Sequence, residues 1–383
     1  MLRSTLRAAF PVACLVPLCA AAAQVQTNAP PPEVRTGARA ETVTDGLVHP
    51  WGLAFLPDGR MLVTERPGRL RIVAGSGRLG PAVPGVPAVS ALNQGGLLDV
   101  AIDPEFARSG LVYLTFSEPR AGGGNGTSVA RGRLVTEDER SRLEDVRVIF
   151  RQQPATGGGL HFGSRLAFAP DGRLFVTLGE RYQKEHAQNL ARHYGKVVRI
   201  APDGSVPPDN PFVGRRGALP EIWSYGHRNP QSAAINPATG RLWTVEHGAR
   251  GGDEINIPEA GRNYGWPVIT YGIDYSGARI GEGQRKAGME QPIYYWDPSI
   301  APSGMAFYTG DRFPAWQGNL FVGALKDRML VRLVIAGDRV VAEERLLEDL
   351  GERIRDVRQG PDGALYVLTD SRQGRLLRVT PAN

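Results

Sequence analysis

The sequence predicts an all-β protein built as a six-bladed β-propeller. A unit made of a short apolar strand, a turn rich in Asp, Gly or Pro, and a β-branched or aromatic strand occurs six times along the chain. The 48 glycines and 30 prolines suit a fold with many tight turns, and strong helix patterns are absent from the sequence. Six such units can close into a ring of sheets, which leaves no long exposed sheet edge.

The spacing of the units supports this interpretation. The intervals between units are irregular, but each is long enough for the roughly 40 residues of a four-stranded blade. Pro-Asp-Gly turns that begin at Pro57, Pro170 and Pro361 supply the positive φ angle that a reversing chain needs. Extra sequence between the second and fifth units predicts loops over one face, where propellers usually carry their sites. The six units begin at Trp51, Gly96, Ser164, Pro230, Ala301 and Ile354.

The first 23 residues are typical of a secretory signal peptide. Arg3 and Arg7 form a basic start, residues 8–18 are apolar, and residues 21–23 are three alanines that suit a cleavage site. The segment is too short for an ordinary membrane span, although a retained N-terminal anchor is the alternative. The sequence therefore predicts a periplasmic or secreted protein.

The remaining chain divides into two predicted parts. Residues 24–38 are polar and contain three consecutive prolines, which predicts a disordered Pro-rich leader. Residues 39–383 form the predicted propeller domain, which carries the predicted catalytic site. Both cysteines, Cys14 and Cys19, fall in the signal segment, so the mature chain must be stable without disulfides.

Charge and hydropathy exclude two classes of partner. Removal of Arg3 and Arg7 with the signal segment lowers the formal charge from +6 to +4. The basic residues are dispersed, which argues against nucleic acid and favours a local pocket for a small anion. No segment after the signal peptide is apolar enough to span a bilayer.

A glycine-rich cluster at residues 157–163 contains the first candidate for chemistry. The glycine run allows backbone to approach a ligand closely, and His161 stands just before the inner strand of the third unit. A histidine with an ordinary pKa near 6.5 suits a general base, and Glu180 could hold its ring in one tautomer. The pattern alone leaves open a structural histidine at a strand end.

Two further clusters point to an anion and to a cation. In the segment 226–231, Arg228 offers a fork of donors for carboxylates and Asn229 can both donate and accept, although a solvated surface turn is the alternative. The segment 246–256 combines carboxylates with free carbonyls, which calcium prefers, although a solvated acidic loop has the same composition. His247 has no second histidine at a zinc-ligand spacing, so calcium is favoured over zinc.

Basic side chains late in the chain are the last candidates for a functional site. Arg353 and Arg355 alternate with Ile354, so both point to one face of an extended segment. Together with Lys326 they predict an inward anion site, and surface placement is the alternative.

Taken together, these segments resemble the soluble PQQ-dependent sugar dehydrogenases, in particular the aldose sugar dehydrogenase branch. The strings GHRNPQ, DEIN, NYGWP, GKVVRI, DGSVPPDNPF and APSG carry the resemblance, which spans residues 47–379. It implies a six-bladed propeller with pyrroloquinoline quinone (PQQ) across its mouth. It also implies oxidation of an aldose to a lactone, with His161 as base, Glu180 as its supporting carboxylate and Arg228 as a third catalytic residue.

The resemblance also implies the ligands of the cofactors. The carbonyls of Gly248 and Ala249 would hold a calcium ion beside PQQ, and Glu254, the Tyr264 carbonyl and Asp274 would hold a second calcium ion. The residues at cofactor-contact positions of the family are Gln94, Arg228, Asn229, His247, Lys326, Arg353 and Arg355.

The chain departs from the glucose-oxidising members at several positions. Leu160 and Phe162 flank His161 where those enzymes carry polar residues, and His247 replaces a glutamine. We therefore expect a broader aldose range, which includes oligosaccharides. The sequence leaves open the electron acceptor, a monomer or a homodimer, and two other functions: a calcium-dependent propeller lactonase and a non-catalytic binding propeller of the cell envelope.

Overall fold

In the computed structural model, which describes residues 26–137 and 140–382, the strands form six antiparallel sheets of four strands each. The sheets are arranged as blades around a central axis, which confirms the predicted all-β six-bladed propeller. No helix of the described residues is both long and apolar enough to cross a membrane.

The strands, in chain order, are β1 (Ala38–Leu47), β2 (Pro50–Phe55), β3 (Met61–Glu65), β4 (Arg69–Val73), β5 (Leu79–Ala82), β6 (Leu97–Ile102), β7 (Leu111–Pro119), β8 (Asn125–Glu137), β9 (Arg140–Arg151), β10 (Gly163–Phe168), β11 (Leu174–Leu178), β12 (Lys196–Ile200), β13 (Ile222–Tyr225), β14 (Pro230–Ile235), β15 (Leu242–Glu246), β16 (Asp253–Asn256), β17 (Tyr294–Trp296), β18 (Pro302–Phe307), β19 (Leu320–Ala324), β20 (Met329–Ala336), β21 (Arg339–Leu346), β22 (Ile354–Gln359), β23 (Leu365–Thr369) and β24 (Gly374–Pro381). The helical segments are α1 (Phe106–Ser109) and the 3₁₀ turns η1 (Lys184–Gln188), η2 (Pro314–Trp316) and η3 (Glu348–Leu350).

The first strand of the chain closes the ring. Blades 1 to 5 are consecutive sets of four strands that begin with β2, β6, β10, β14 and β18, whereas blade 6 consists of β22, β23, β24 and β1. In blade 6, β1 pairs antiparallel with β24, with Ala40 opposite Val379. The innermost strands β2, β6, β10, β14, β18 and β22 begin within one residue of the six predicted units.

The Pro-Asp-Gly turns lie where the sequence predicts them. They join the first two strands of blades 1, 3 and 6. The glycines at their third position, Gly59, Gly172 and Gly363, have φ angles of +85°, +76° and +73°. These left-handed conformations are strained for a residue with a Cβ atom, so each turn requires its glycine.

Buried hydroxyl groups connect neighbouring blades. Thr115 Oγ1 of blade 2 donates to the Ser164 carbonyl of blade 3 at 2.7 Å, and Thr177 Oγ1 of blade 3 donates to the Pro230 carbonyl of blade 4 at 3.0 Å. Apolar side chains fill the remaining space between blades, as where Tyr113 and Phe150 of blade 2 pack with Leu166 of blade 3. The ring is therefore held by apolar contacts and by satisfied polar groups.

A buried ion network lies on the axis and joins the inner strands. Arg165 Nη1 contacts Asp99 Oδ1 at 2.9 Å and Asp356 Oδ1 at 3.0 Å. Arg358 contacts the same two carboxylates, each at 3.0 Å. Asp356 Oδ2 also accepts a hydrogen bond from the Leu53 amide at 3.0 Å. The network therefore ties blades 1, 2, 3 and 6 together.

The structure describes only part of the N-terminal segment. Residues 1–23, the predicted signal peptide, lie outside the described residues, as do residues 24 and 25 of the predicted leader. From Gln26 the leader contacts blades 4 and 5: the Ala29 amide donates to Tyr294 Oη at 3.0 Å, and the Glu343 amide donates to the Pro30 carbonyl at 2.9 Å. Proline retains its carbonyl as an acceptor, so a Pro-rich segment can dock without forming a strand.

We expect Asp99→Ala to lower the free energy of unfolding by about 3–5 kcal/mol, because it leaves the buried guanidinium of Arg165 and that of Arg358 short of a carboxylate. Chemical denaturation measures this change. Asp338→Ala is the control, since its pair with Arg241 is solvent-exposed and such pairs contribute less than about 1 kcal/mol. Equal losses in the two variants would contradict the assigned role of the network.

Candidate active site

A cavity opens on the axis where the inner strands begin. Its volume is about 290 Å³. Side chains from loops and strands of most blades contribute to it, as expected for the mouth of a propeller. The lining residues are Trp51, Arg66, Asn93, Gln94, Leu98, Phe162, Gly163, Gln231, His247, Ala301, Leu325, Arg353, Arg355 and Asp370.

His161 is held beside this cavity by three contacts. Its Nδ1 lies 2.7 Å from Glu180 Oε1, and its amide donates to Gln94 Oε1 at 2.9 Å. The ring packs edge-on against Tyr182, with ring centroids 5.4 Å apart. The pairing of His161 with Glu180 that the sequence predicts is therefore present.

The electrostatic surroundings keep the His161 ring neutral. Burial lowers its pKa below the ordinary value of 6.5, the hydrogen bond that the ring donates to Glu180 opposes this effect, and the positive charge of Arg228 adds to the lowering. In the neutral ring, Nδ1–H donates to the Glu180 carboxylate, which leaves Nε2 as a proton acceptor. This is the protonation state of a general base at neutral pH.

Three guanidinium groups surround one carboxylate in the cavity. Arg355 Nη2 lies 2.8 Å and Arg353 Nη2 3.7 Å from Asp370 Oδ2. Burial opposes ionisation of Asp370, but Arg355, His49 and Arg66 together hold its pKa well below the usual range. Because three cations line the cavity against one ionised carboxylate, its field favours an anion.

Arg228 and His247 meet at the side of the cavity nearest His161. Arg228 Nη1 donates to the His247 carbonyl at 3.2 Å, and its guanidinium lies 5.3 Å from the Trp266 ring centroid. His247 Nε2 lies 2.6 Å from the Pro302 carbonyl, and burial together with the charge of Arg228 lowers the pKa of His247 to about 3. His247 is therefore neutral, donates through Nε2 and keeps Nδ1 as an acceptor.

Two other predicted contact residues occupy different positions. Asn229 Oδ1 accepts from the Gly163 amide at 3.1 Å, which places Asn229 against the start of β10. Lys326 is outside the axial cavity: its side chain is 57% exposed, and Nζ donates to the Ser299 carbonyl at 2.7 Å. It lines a neighbouring depression that shares Ala301 with the cavity. The predicted contacts that line the axial cavity itself are Gln94, His247, Arg353 and Arg355, whereas Arg228 lines the adjoining cavities and Lys326 lies at the rim.

The predicted metal ligands fall into two groups. Gly248, Glu254 and Tyr264 line one small cavity of about 10 Å³, near the volume that a single water-sized particle needs. Glu246 lines the same cavity, and Asn256 Nδ2 donates to both carboxylates, at 3.1 Å to Glu246 and 3.3 Å to Glu254. Burial, reinforced by the charge of Glu246, raises the pKa of Glu254 well above its usual value.

Asp274 and Ala249 line a different cleft. This cleft has a volume of about 250 Å³ and also contains Glu180, Tyr182 and Arg228. Asp274 Oδ1 accepts from the Ser276 amide at 2.9 Å within a turn. The structure therefore does not place Asp274 in the small cavity that Glu254 and Tyr264 share.

Several residues of the site are absent from the sequence-based prediction. Arg66, Trp51 and Asp370 line the axial cavity, and Glu246 joins the acidic cavity. In the sequence, Trp51 marks only the start of a repeat unit. Arg66, Asp370 and Glu246 stand at or just after the end of the second strand of their blades, and the equivalence of these positions is a pattern that could have identified them.

We expect the pKa of His161, measured by NMR titration of its ring, to lie below 6.5 because burial disfavours the charged ring. In Glu180→Gln the value should fall further, since the carboxylate hydrogen bond that raises the pKa is lost. Comparison with His161→Gln assigns the resonance. A pKa at or above 6.5 in the unmodified protein would be inconsistent with this environment.

Comparison with known proteins places this chain in a family. Aldose sugar dehydrogenase YliI of Escherichia coli is 52% identical over 346 residues, which cover 90% of this chain and 93% of that protein. The apo-form structure of the soluble aldose sugar dehydrogenase of E. coli is 51% identical, with a TM-score of 0.87 over 90% of this chain and 100% of its own. The PQQ-bound aldose sugar dehydrogenase of Streptomyces coelicolor is 29% identical, with a TM-score of 0.74 over 91% of this chain and 99% of its own. The sequence profile of the family described as Glucose / Sorbosone dehydrogenase matches residues 47–378, and this chain therefore belongs to that family.

Proposed function

We propose that this protein oxidises aldose sugars to lactones with bound PQQ and calcium. One observation carries the proposal: a neutral histidine, oriented by a carboxylate, lies beside a cavity lined by three guanidinium groups. Such a site combines a general base with a pocket for an anionic cofactor. A relative with the same fold is described as PQQ-bound.

The residues of the cavity fit a planar quinone that carries carboxylates. Three buried donors, Arg228 Nε, Asn229 Nδ2 and Arg355 Nε, make no hydrogen bond within the described residues. Buried donors of this kind are costly unless an acceptor satisfies them, and a carboxylated quinone carries acceptors at its edge. Arg66, Arg353 and Arg355 would bind its carboxylates, whereas Gln94 and Asn229 would bind through their amides.

The side chains define what the protein does in the reaction. His161 Nε2 would accept the proton of the hydroxyl on the anomeric carbon, and the Glu180 carboxylate would stabilise the imidazolium that forms. Arg228, at the same cleft as Glu180, would stabilise negative charge that develops on the sugar oxygen. Bound PQQ would supply the acceptor for the hydride that leaves the anomeric carbon, so that the sugar becomes the lactone.

The donors beside Glu254 fit a calcium ion. Calcium prefers carboxylate and carbonyl oxygens, and the small cavity joins two glutamates to Gly248 and Tyr264. A cation there would remove the repulsion between Glu246 and Glu254. Gly248 and Ala249 would hold a second calcium ion through their carbonyls, and that ion would supply Lewis-acid polarisation.

The two alternative functions fit the site less well. A propeller lactonase would need carboxylates free to bind a metal at the axis, but in the described residues Asp99 and Asp356 on the axis are neutralised by Arg165 and Arg358. A non-catalytic binding propeller leaves the low-pKa base His161 and its carboxylate without a role. We also propose export to the periplasm or the medium, on the basis of the signal segment at residues 1–23.

The central test follows the absorbance of the protein during titration with PQQ, with and without calcium. We expect a stoichiometric endpoint and, on addition of an aldose, reduction of the bound chromophore. His161→Ala should keep the endpoint and slow the reduction by roughly 100-fold or more, the usual scale for a lost general base. His186→Ala, a half-buried histidine away from the cavity, is the control. Lactone hydrolysis without quinone, or binding with no sugar able to reduce the chromophore, would reject the proposal.

We expect calcium to raise the thermal unfolding temperature, because an ion that binds only the folded state adds about 2.7 kcal/mol at a concentration of about 100 times Kd. Glu254→Gln should abolish most of this increase, since it removes a carboxylate of the small cavity. Asp274→Asn should keep most of it, since Asp274 lies in the other cleft. Calcium stabilisation that is lost in Asp274→Asn but retained in Glu254→Gln would contradict this assignment.

A further inference from the structure

The turn that follows Glu180 has a strained backbone. Arg181 and Tyr182 have φ angles of +58° and +61°, and His161, which packs against this turn, has a φ of +53°. This left-handed region is unfavourable for residues other than glycine. Such strain persists only where the surroundings hold it, and it concentrates at functional sites. The contacts that hold this turn in place therefore also influence the position of His161.

Arg181 contacts the chain on both sides of His161. Its Nη2 donates to the Gly158 carbonyl at 3.0 Å, and its backbone amide donates to the His161 carbonyl at 3.3 Å. Its guanidinium lies over the Phe162 ring, 3.6 Å from the centroid, which is a close cation–π contact. One side chain and its own amide thus contact three positions within the segment 158–162.

Asn125 extends this clamp from the neighbouring blade. Arg181 Nη2 donates to Asn125 Oδ1 at 2.7 Å, while Asn125 Nδ2 donates to the Gly158 carbonyl at 3.0 Å. Gly157 and Gly158 have open space where a Cβ atom would lie, so side-chain packing does not restrain this part of the loop. The position of Gly158, and with it the approach to His161, therefore depends on these hydrogen bonds.

The Arg181 guanidinium is buried without a salt bridge in the part of the chain that the structure describes. Its side chain is 3% exposed, and Nε and Nη1 make no hydrogen bond within the described residues. Burial lowers its pKa to about 10, so it remains charged at neutral pH. An uncompensated buried charge is expensive. An apolar side chain at this position would fill the same space without the cost of burying a charge. The presence of arginine therefore indicates that the charged, hydrogen-bonding group has a role of its own.

We propose that Arg181 is the positioning residue of His161: it fixes the loop that carries the imidazole and keeps a positive charge beside the ring. The inference rests on the proposed function only for the role of His161 as base. The effect on the ring can be measured without turnover.

The charged and titratable groups around His161 act on its pKa in opposite directions. The Glu180 carboxylate raises its pKa, whereas burial, Arg228 and Arg181 lower it. His247 is neutral because its own pKa is about 3, and the exposed Tyr182 contacts the ring edge. Loss of the Arg181 charge should therefore raise the pKa of His161. Loss of the clamp should separately reduce the fraction of rings in the productive orientation.

The experiment compares Arg181→Met, Arg181→Lys and Arg332→Met. Arg332 is an equally buried arginine in blade 5 that pairs with Glu344 at 2.8 Å, so its loss destabilises the protein far from the mouth. The first readout is the NMR titration of the His161 ring. The second is the pH dependence of kcat with PQQ, calcium and glucose. Thermal unfolding checks that each variant is folded at the temperature used.

In Arg181→Met we expect a higher pKa of His161, the acid limb of kcat moved to higher pH, and kcat at its optimum lower by about 10-fold or more. Arg181→Lys should restore the pKa of His161 but not kcat, because an ammonium group cannot reproduce the planar contacts with Asn125, Gly158 and Phe162. Arg332→Met should change neither readout.

An unchanged pKa of His161 in a folded Arg181→Met protein would overturn the inference. So would an equal change in Arg332→Met, which would reveal a general loss of stability. If no aldose supports turnover but the pKa of His161 still rises, the proposed function fails and the electrostatic part of the inference stands. If turnover is normal in Arg181→Met, the inference fails and the proposed function stands.

Discussion

The ion network on the propeller axis is the interaction on which the rest of the structure depends. Inner strands of a propeller converge, so their side chains must either fill the axis or leave a channel. Here Arg165 and Arg358 share the carboxylates of Asp99 and Asp356, and the network joins four of the blades. Close approach of blade 5 requires a glycine, because a Cβ atom at Gly304 would lie 2.2 Å from the Asp356 carboxylate.

The ion network adjoins the axial cavity. Trp51 links the two levels: the Arg165 guanidinium lies 4.3 Å from its ring centroid, and that of Arg355 lies 5.9 Å away. A cation of the network thus contacts the same aromatic ring as a cation of the cavity. Arg355 of the cavity therefore packs against a side chain that also contacts the buried network, which reduces the reorganisation that ligand binding requires.

Positive and negative charges are separated across the mouth. Arg66, Arg353 and Arg355 outnumber the Asp370 carboxylate on the axis, whereas Glu246 and Glu254 meet in a small cavity at one side. His161 and Glu180 lie between the two regions, together with Arg228, which lines both the acidic cavity and the cleft beside Glu180. This arrangement suits a ligand that bears carboxylates on one part and contacts a divalent cation on another. The same arrangement keeps the His161 ring neutral, as a base requires.

The sequence alone determined the number of blades, the start of each inner strand and the tight turns, because strand alternation and turn chemistry are local properties. It also identified the pair His161 and Glu180, since the repeat places both beside the same unit. Only the tertiary structure decided which charges share a cavity. In the folded chain, Arg66 and Arg355 line one cavity, and Glu246 and Glu254 line another. Lys326 lies at the rim, and Asp274 lies in a different cleft from Glu254. Such distances depend on how blades close around the axis, and closure is set by contacts between residues far apart in the chain.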